Sequence, residues 1–172
     1  MLDQDLSQPT VTAESTSFEG PRTEDTASEN ENGHQIYRVR TQLLSKGRSD
    51  YVLASTDLMS VRIKCYAQGG ENVLHSHPGE DHTFIVLAGK ARFFDKNGET
   101  AELSRNEGIM LRRGTYYKFQ SCGDEPLVLL RVGAQKEKVP VRRIGLSGES
   151  LPGNSKANKH EDGVPIEGLF YE

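Results

Sequence analysis

The fold of this chain is decided by residues 69–89, which read GGENVLHSHPGEDHTFIVLAG. Three of the five histidines in the chain, His75, His77 and His82, fall within eight residues of this stretch, and glycines bound it on both sides. An apolar segment that ends at Ala88 follows the histidines directly. Because successive side chains of a strand point to opposite faces, this pattern predicts histidines carried on two consecutive β-strands.

The spacing of the three histidines predicts a metal site. His75 and His77 are two residues apart, so on a strand their side chains leave the same face with Cα atoms about 6.8 Å apart. Pro78 and Gly79 favour a turn, because proline cannot donate to a ladder and glycine tolerates unusual dihedral angles. The turn brings His82 back opposite the first two, and three imidazoles suit a divalent transition-metal ion such as Fe, Ni, Mn or Zn.

Two alternatives stay open at this point. The histidines could form a hydrated surface cluster or satisfy hydrogen bonds at strand ends, without any metal. If the loop has a different phase, Glu80 or Asp81 could replace His82 as a ligand, although strand alternation favours His82.

The remaining sequence predicts further short strands and no helix. Residues 58–67 alternate strictly, with Arg62, Lys64 and Tyr66 opposite an apolar face, and we expect the charged residues of this strand to face solvent. Asn97-Gly98 predicts a β-hairpin. Additional strands are predicted at 90–94, 100–103, 108–111, 116–120 and 127–132. Short strands at this spacing favour an all-β barrel or sandwich.

Composition divides the 172 residues into three parts. Residues 1–34 contain eight acidic residues and one basic residue, and their low apolar content predicts a disordered acidic arm. We expect the folded barrel at 35–135. Residues 136–172 are predicted to form an irregular C-terminal extension that packs on the barrel through its last apolar cluster, 168–171.

Charge and hydropathy exclude two classes of partner. The chain carries a net charge of −4 and has no dense Lys/Arg stripe, so we expect no binding to nucleic acid. No apolar run approaches the length of a membrane span, and the first residues lack the basic and apolar regions of a secretory signal. We therefore expect a cytoplasmic protein with no membrane partner.

The histidine stretch resembles the first motif of the cupin family, G-x5-HxH-x3,4-E-x6-G, from Gly69 through His75, His77 and His82 to Gly89. A degraded second motif, G-x5-PxG-x2-H-x3-N, lies at residues 106–119. With Gly114 as the glycine of PxG, Asn106 replaces the leading glycine, Arg112 replaces the proline and Tyr117 replaces the histidine.

The resemblance implies a double-stranded β-helix, the cupin or jelly-roll barrel, with a metal ion inside its mouth and often a homodimeric assembly. Most cupins hold the ion with three histidines and one glutamate, whereas here His82 stands at the glutamate position. Tyr117 could be a fourth ligand, a hydrogen-bond donor to a ligand, a proton donor to substrate, or a packing residue. Strand phase places Phe84, Val86 and Phe119 as candidate lining of a substrate pocket.

Two functional classes follow from this resemblance. The first is a metal-dependent enzyme acting on a small molecule that chelates the ion through oxygen atoms. It would be either an Fe(II) dioxygenase or a Lewis-acid isomerase, dehydratase or decarboxylase. The second is a metabolite-binding or sensing module without turnover, because folds of this kind host both.

Overall fold

The computed structural model describes residues 28–29, 33–136, 142–151 and 162–172, so most of the predicted acidic arm lies outside the described residues. Within these ranges all regular elements are β-strands, and no helix there is long and apolar enough to cross a lipid bilayer. The strands are β1 (Ser28–Glu29), β2 (Gln35–Ile36), β3 (Thr41–Lys46), β4 (Arg48–Ser55), β5 (Met59–Tyr66), β6 (His75–Ser76), β7 (Glu80–Ala88), β8 (Ala91–Asp95), β9 (Gly98–Leu103), β10 (Gly108–Leu111), β11 (Lys118–Ser121), β12 (Leu127–Gln135), β13 (Ile144–Gly145) and β14 (Val164–Tyr171).

The strands pair into two facing sheets. The larger sheet has the order β10-β7-β12-β5-β4, and the smaller has the order β11-β8-β9, with antiparallel pairing throughout. An antiparallel bridge between His75 and Tyr117 extends the smaller sheet toward the pair β13-β6. The predicted all-β double-stranded β-helix is therefore confirmed.

The core between the two sheets is largely aromatic at one end of the barrel. It contains residues from both sheets, including Phe84 of β7 and Phe93 of β8, which are both about 1% exposed. Burying an aromatic side chain of this size contributes about 1.5 to 3 kcal/mol. The cluster comprises Tyr66, Phe84, Val86, Ala91, Phe93, Tyr117, Phe119, Leu127 and Leu129.

The prediction that the charged residues of β5 face solvent is wrong for Lys64, which is only 7% exposed. The opposite face of β5, with Val61 and Ile63, packs outward against Leu44 of β3 in a second apolar cluster. Because β3 covers that outer face, the other face of β5 points into the barrel. Lys64 is stabilised there by an ion pair with Asp50 on the neighbouring strand.

The C-terminal extension, predicted to be irregular, contains two strands. β13 pairs with β6, so that Ile144 lies opposite Ser76 and Gly145 opposite His75. β14 pairs with β3, and Tyr171 packs against the outer cluster. Both strands add backbone hydrogen bonds to strand edges that would otherwise be unpaired, which explains why polar parts of this segment form strands.

Candidate metal centre

The three predicted histidines come from two adjoining elements at one end of the barrel. Two reciprocal backbone hydrogen bonds join His75 to Tyr117, with His75 N donating to Tyr117 O and Tyr117 N donating to His75 O. Gly114 N donates to the carbonyl of His77. His82 lies on β7, in the interior of the larger sheet, directly opposite Gly133 of β12. Strands therefore fix His75 and His82, and His77, which directly follows β6, is held through its carbonyl by Gly114.

The imidazole rings converge inside the barrel. The ring centroids of His75 and His77 are 5.1 Å apart, and those of His77 and His82 are 4.3 Å apart. All three residues are buried, and the ring of Tyr117 lies 4.7 Å from that of His75. The alternative of a hydrated surface cluster does not describe this arrangement, because the rings lie within the barrel.

Glu80 joins the histidine group because it shares a strand face with His82, two residues further along β7. One carboxylate oxygen, Oε2, lies 3.1 Å from His82 Nε2 and 3.9 Å from His77 Nδ1. The potential ligand atoms of His77, Glu80 and His82 all lie within 4.8 Å of one another. Asp81 is exposed and accepts a hydrogen bond from Arg113 N, so it does not belong to the site.

Arg131 of β12 is the cation of this group. Its Nη2 donates to Glu80 Oε1 at 2.8 Å and also contacts His82 Nε2. Arginine offers only donors, so we assign His82 Nε2 as the acceptor and His82 Nδ1 as the protonated nitrogen. His82 Nδ1 then donates to the hydroxyl oxygen of Tyr117, 3.1 Å away.

Two further ring nitrogens are buried and have no hydrogen-bond partner among the described residues, His75 Nε2 and His77 Nδ1. His75 Nδ1 lies 2.7 Å from Val73 O, and a carbonyl can only accept. His75 Nδ1 therefore carries the proton, and Nε2 has a free lone pair. A histidine oriented in this way by a backbone carbonyl is typical of metal ligands.

The donor set fits a cation. The buried ring nitrogens His75 Nε2 and His77 Nδ1 have no hydrogen-bond partner among the described residues, and leaving buried polar groups unpaired is costly. Two or three imidazoles with a carboxylate are ligands that Zn, Fe, Ni and Mn accept. Among the residues that the structure describes, Arg131 is the cation in direct contact with these groups.

Burial keeps the histidines neutral, the state in which they can bind a metal. Burial, with the charge of Arg143, lowers the pKa of His75 to about 3. Burial and the neighbouring His82 lower the pKa of His77 as well, and burial with the charge of Arg131 lowers that of His82. Burial alone would raise the pKa of Glu80, but the charge and the hydrogen bond of Arg131 help to lower it, so Glu80 remains ionised.

Tyr117 contributes a protonated hydroxyl at the edge of the histidine group. Burial raises its pKa to about 12, so the phenol stays neutral at ordinary pH. Its ring is parallel to that of Phe119, with centroids 6.5 Å apart. The structure shows one of the roles considered for Tyr117, packing in the core, and places its hydroxyl as the acceptor of a hydrogen bond from the candidate ligand His82.

The three predicted pocket residues lie behind the histidines in the apolar core. Phe84 and Phe119 have ring centroids 5.4 Å apart, and the Phe84 ring is 6.0 Å from that of His82. Val86 is completely buried two residues further along the same strand face. These side chains form an apolar floor beneath the site, and their role in substrate binding stays a prediction.

A cleft of about 410 Å³ opens beside this group and gives solvent access to Glu80 and Arg131. Its walls come from the β4–β5 hairpin, β5, β12 and the turn before β7. The lining includes Arg62, Gly79, Glu80, Arg131, Gln135 and Arg142.

The sequence prediction did not include Glu80 as a partner of His82, nor Arg131. A signal for Arg131 existed, since it is a charged residue within the apolar segment 127–132.

Comparison with protein families identifies the barrel. Residues 62–133 match the family model described as Cupin domain. This region is a cupin domain. The matched region begins on β5 and ends on β12, and it includes all three histidines, Glu80 and Arg131.

Other comparisons agree on the fold of this cupin but leave its activity open. A stretch of 52 residues is 38% identical to the uncharacterized protein YdbB of Bacillus subtilis, and it covers 30% of this chain and 46% of that protein. A conserved protein of unknown function from Streptococcus pyogenes, SPY1581, aligns over 67% of this chain and 99% of its own, with 18% identity and a TM-score of 0.51. The cupin domain of Cnp3 from Schizosaccharomyces pombe aligns over 65% of this chain and 86% of its own, with 16% identity and a TM-score of 0.51.

Proposed function

We propose that this cupin is a metal-dependent enzyme that acts on a small substrate able to chelate the ion through oxygen atoms. The observation that carries the proposal is the pair of buried ring nitrogens, His75 Nε2 and His77 Nδ1, which have no partner among the described residues. His77, His82 and Glu80 have potential ligand atoms within 4.8 Å of one another, a group that would suit a divalent ion, and His75 Nε2 would be a further donor beside it. A bound ion would act as a Lewis acid that stabilises negative charge on a substrate oxygen.

The surrounding residues support Lewis-acid chemistry of the isomerase, dehydratase or decarboxylase type. The hydroxyl oxygen of Tyr117 accepts from His82 Nδ1, which leaves the phenolic proton free to be directed toward a bound substrate. Because the pKa of Tyr117 is raised to about 12, the phenol would donate its proton only to a strongly basic centre, such as a carbanion. The apolar floor of Phe84 and Phe119 excludes water from the same side.

The proposal is tested by metal content and binding. Purified full-length protein is analysed for bound metal, then stripped with chelator and titrated calorimetrically with Zn²⁺, Ni²⁺, Mn²⁺ and Fe²⁺. We expect a single tight site that is lost in His77→Ala and retained in His34→Ala, which changes an exposed histidine outside the barrel. Equal metal binding by the wild type and His77→Ala would overturn the proposal.

Oxygen uptake separates the reaction classes. If the native ion is iron and a panel of small hydroxy and oxo acids causes oxygen consumption, the enzyme is a dioxygenase. Zinc, nickel or manganese with turnover of such a compound and no oxygen uptake supports the Lewis-acid class. Binding of these compounds without turnover, whichever metal is present, identifies a sensing or storage module instead.

A further inference from the structure

Arg143 reaches the histidine group from the C-terminal extension. It directly precedes β13, in which Ile144 lies opposite Ser76 and Gly145 opposite His75. Extending this antiparallel register by one residue brings Arg143 opposite His77. A hydrogen bond from Leu151 N to the carbonyl of Arg143 holds the backbone in place. The extension therefore adds a second guanidinium to the site, from a segment outside the region that matches the cupin model.

Arg143 is half-buried, and part of its guanidinium is shielded from solvent. Its Nε and Nη1 atoms are inaccessible to solvent and have no hydrogen bond to any residue of the described ranges. Burial lowers the pKa of Arg143. Its charge in turn contributes to the lowered pKa of His75.

Among the described residues the buried cations Lys64 and Arg131 are both compensated, whereas the half-buried Arg143 has two guanidinium nitrogens without a hydrogen-bond partner. Arg131 is paired with Glu80, and Lys64 is paired with Asp50. An uncompensated buried charge is strongly unfavourable, so a buried guanidinium with unused donors indicates a missing anion. The planar fork of an arginine matches the two oxygens of a carboxylate.

We propose that Arg143 binds the carboxylate group of the substrate, beside the His75–His77 pair. This inference rests on the proposed function and specifies its substrate class as small carboxylic acids. A single guanidinium balances one negative charge, which favours a carboxylate over a dianionic phosphate. The position of Arg143 beside the histidines allows one small acid to reach the metal ligands and the guanidinium together.

The test uses acetate and inorganic phosphate as probes on full-length, metal-free protein. We expect acetate to bind the wild type and to perturb the Arg143 Nε–H signal in ¹H–¹⁵N spectra. In Arg143→Gln its affinity should fall at least tenfold. Arg105→Gln, which removes the same charge from an exposed turn, should bind acetate like the wild type. Equal acetate binding by wild type and Arg143→Gln, or tighter binding of phosphate than of acetate, would overturn the assignment.

A stability measurement separates ligand binding from a structural role. If the role of Arg143 is to bind a ligand, the substitution Arg143→Gln removes an unpaired charge. It should then leave the thermal unfolding temperature of ligand-free protein unchanged or raise it. A lower unfolding temperature for Arg143→Gln, beyond that of Arg105→Gln, would assign Arg143 to the fold and overturn the proposal. Metal titration of the same samples keeps the two proposals apart, because acetate binding at Arg143 does not require that the histidines bind an ion.

Discussion

The hydroxyl of Tyr117 lies 3.1 Å from Nδ1 of His82, which connects two of the positions at which this chain departs from the usual cupin motifs. His82 occupies the place of a glutamate in the first motif, and Tyr117 the place of a histidine in the second. The two replacements thus form one hydrogen-bonded unit. This unit orients His82 and keeps a neutral phenol beside the candidate ligands.

Replacing Tyr117 with phenylalanine should weaken the site without unfolding the barrel. The buried Nδ1–H of His82 would lose its acceptor, so we expect the free energy of unfolding to fall by about 1 to 3 kcal/mol. Urea unfolding of metal-free protein measures this loss. Tyr37→Phe, which removes an exposed hydroxyl, should change the stability by less than about 0.5 kcal/mol. Equal stabilities for the two variants would contradict the assigned hydrogen bond.

Local pattern predicted the strands and the convergence of the histidines, because both depend on alternation and on nearby turns. The second motif shows why a degraded pattern still folds in the same way. Asn106, which replaces the leading glycine, has a φ of 68°, and Gly114 has a φ of 78°. Asparagine is among the few residues other than glycine that tolerate this left-handed conformation, so the backbone is preserved.

Residues that approach from distant strands could not be predicted from local pattern. Lys64 faces inward because β3 covers the opposite face of β5. This depends on how the strands are layered, and the alternation of apolar and polar residues along β5 does not reveal it. Arg131 meets Glu80 only because β12 pairs with β7, and Arg143 reaches the site only through the pairing of β13 with β6. Long-range register of this kind is not encoded in the spacing of neighbouring residues.

Removing Arg131 should increase metal affinity. Its guanidinium contacts His82 Nε2 and Glu80 and therefore competes with an incoming cation for the same lone pairs. We expect Arg131→Gln to bind Zn²⁺ at least tenfold more tightly than the wild type, which corresponds to about 1.4 kcal/mol. Competition with a fluorescent chelator measures the dissociation constants.

Two variants test the origin of this effect. Glu80→Gln should weaken Zn²⁺ binding, because it removes the negative charge of the site. Arg92→Gln is the matched control, since Arg92 forms surface ion pairs with Glu99 and Glu102 on the smaller sheet. Weaker Zn²⁺ binding by Arg131→Gln would show that the arginine positions the ligands and does not compete with the ion.

Gly89, the last residue of the first motif, should be less tolerant of alanine than a glycine of similar conformation elsewhere. Gly89 and Gly168 have φ values of 70° and 71°. A Cβ at Gly89 would lie 2.8 Å from Pro126 O, whereas a Cβ at Gly168 would meet nothing within 4 Å. We expect Gly168→Ala to cost about 1 to 2 kcal/mol for the backbone conformation alone.

Gly89→Ala carries the same backbone cost and adds a clash with main-chain atoms that cannot rotate away. We therefore expect its loss of unfolding free energy to be at least about 1 kcal/mol larger than that of Gly168→Ala. Thermal and urea unfolding of both variants measure the difference. Similar losses for the two variants would show that the chain near Pro126 shifts to admit the methyl group.

The lowered pKa values of the buried histidines predict how the stability of the metal-free protein depends on pH. The pKa of His75 is about 3 in the folded state, compared with an ordinary value of 6.5. Below pH 6.5 the unfolded chain therefore binds a proton at this residue that the folded chain does not bind until about pH 3. The stabilising contribution of neutral His75 is complete above pH 6.5 and is lost as the pH falls from 6.5 to about 3.

We expect the free energy of unfolding in chelator-containing buffer to decrease steadily from pH 7 to pH 4, with a slope of up to about 1.4 kcal/mol per pH unit for each such histidine. Urea titrations at half-unit pH intervals measure this slope. His75→Asn should reduce the slope, because it removes one proton-binding group of the unfolded chain. His34→Gln, at an exposed position, should keep the slope of the wild type. Identical slopes for His75→Asn and the wild type would contradict a neutral, buried His75, and with it the free lone pair on which the metal site depends.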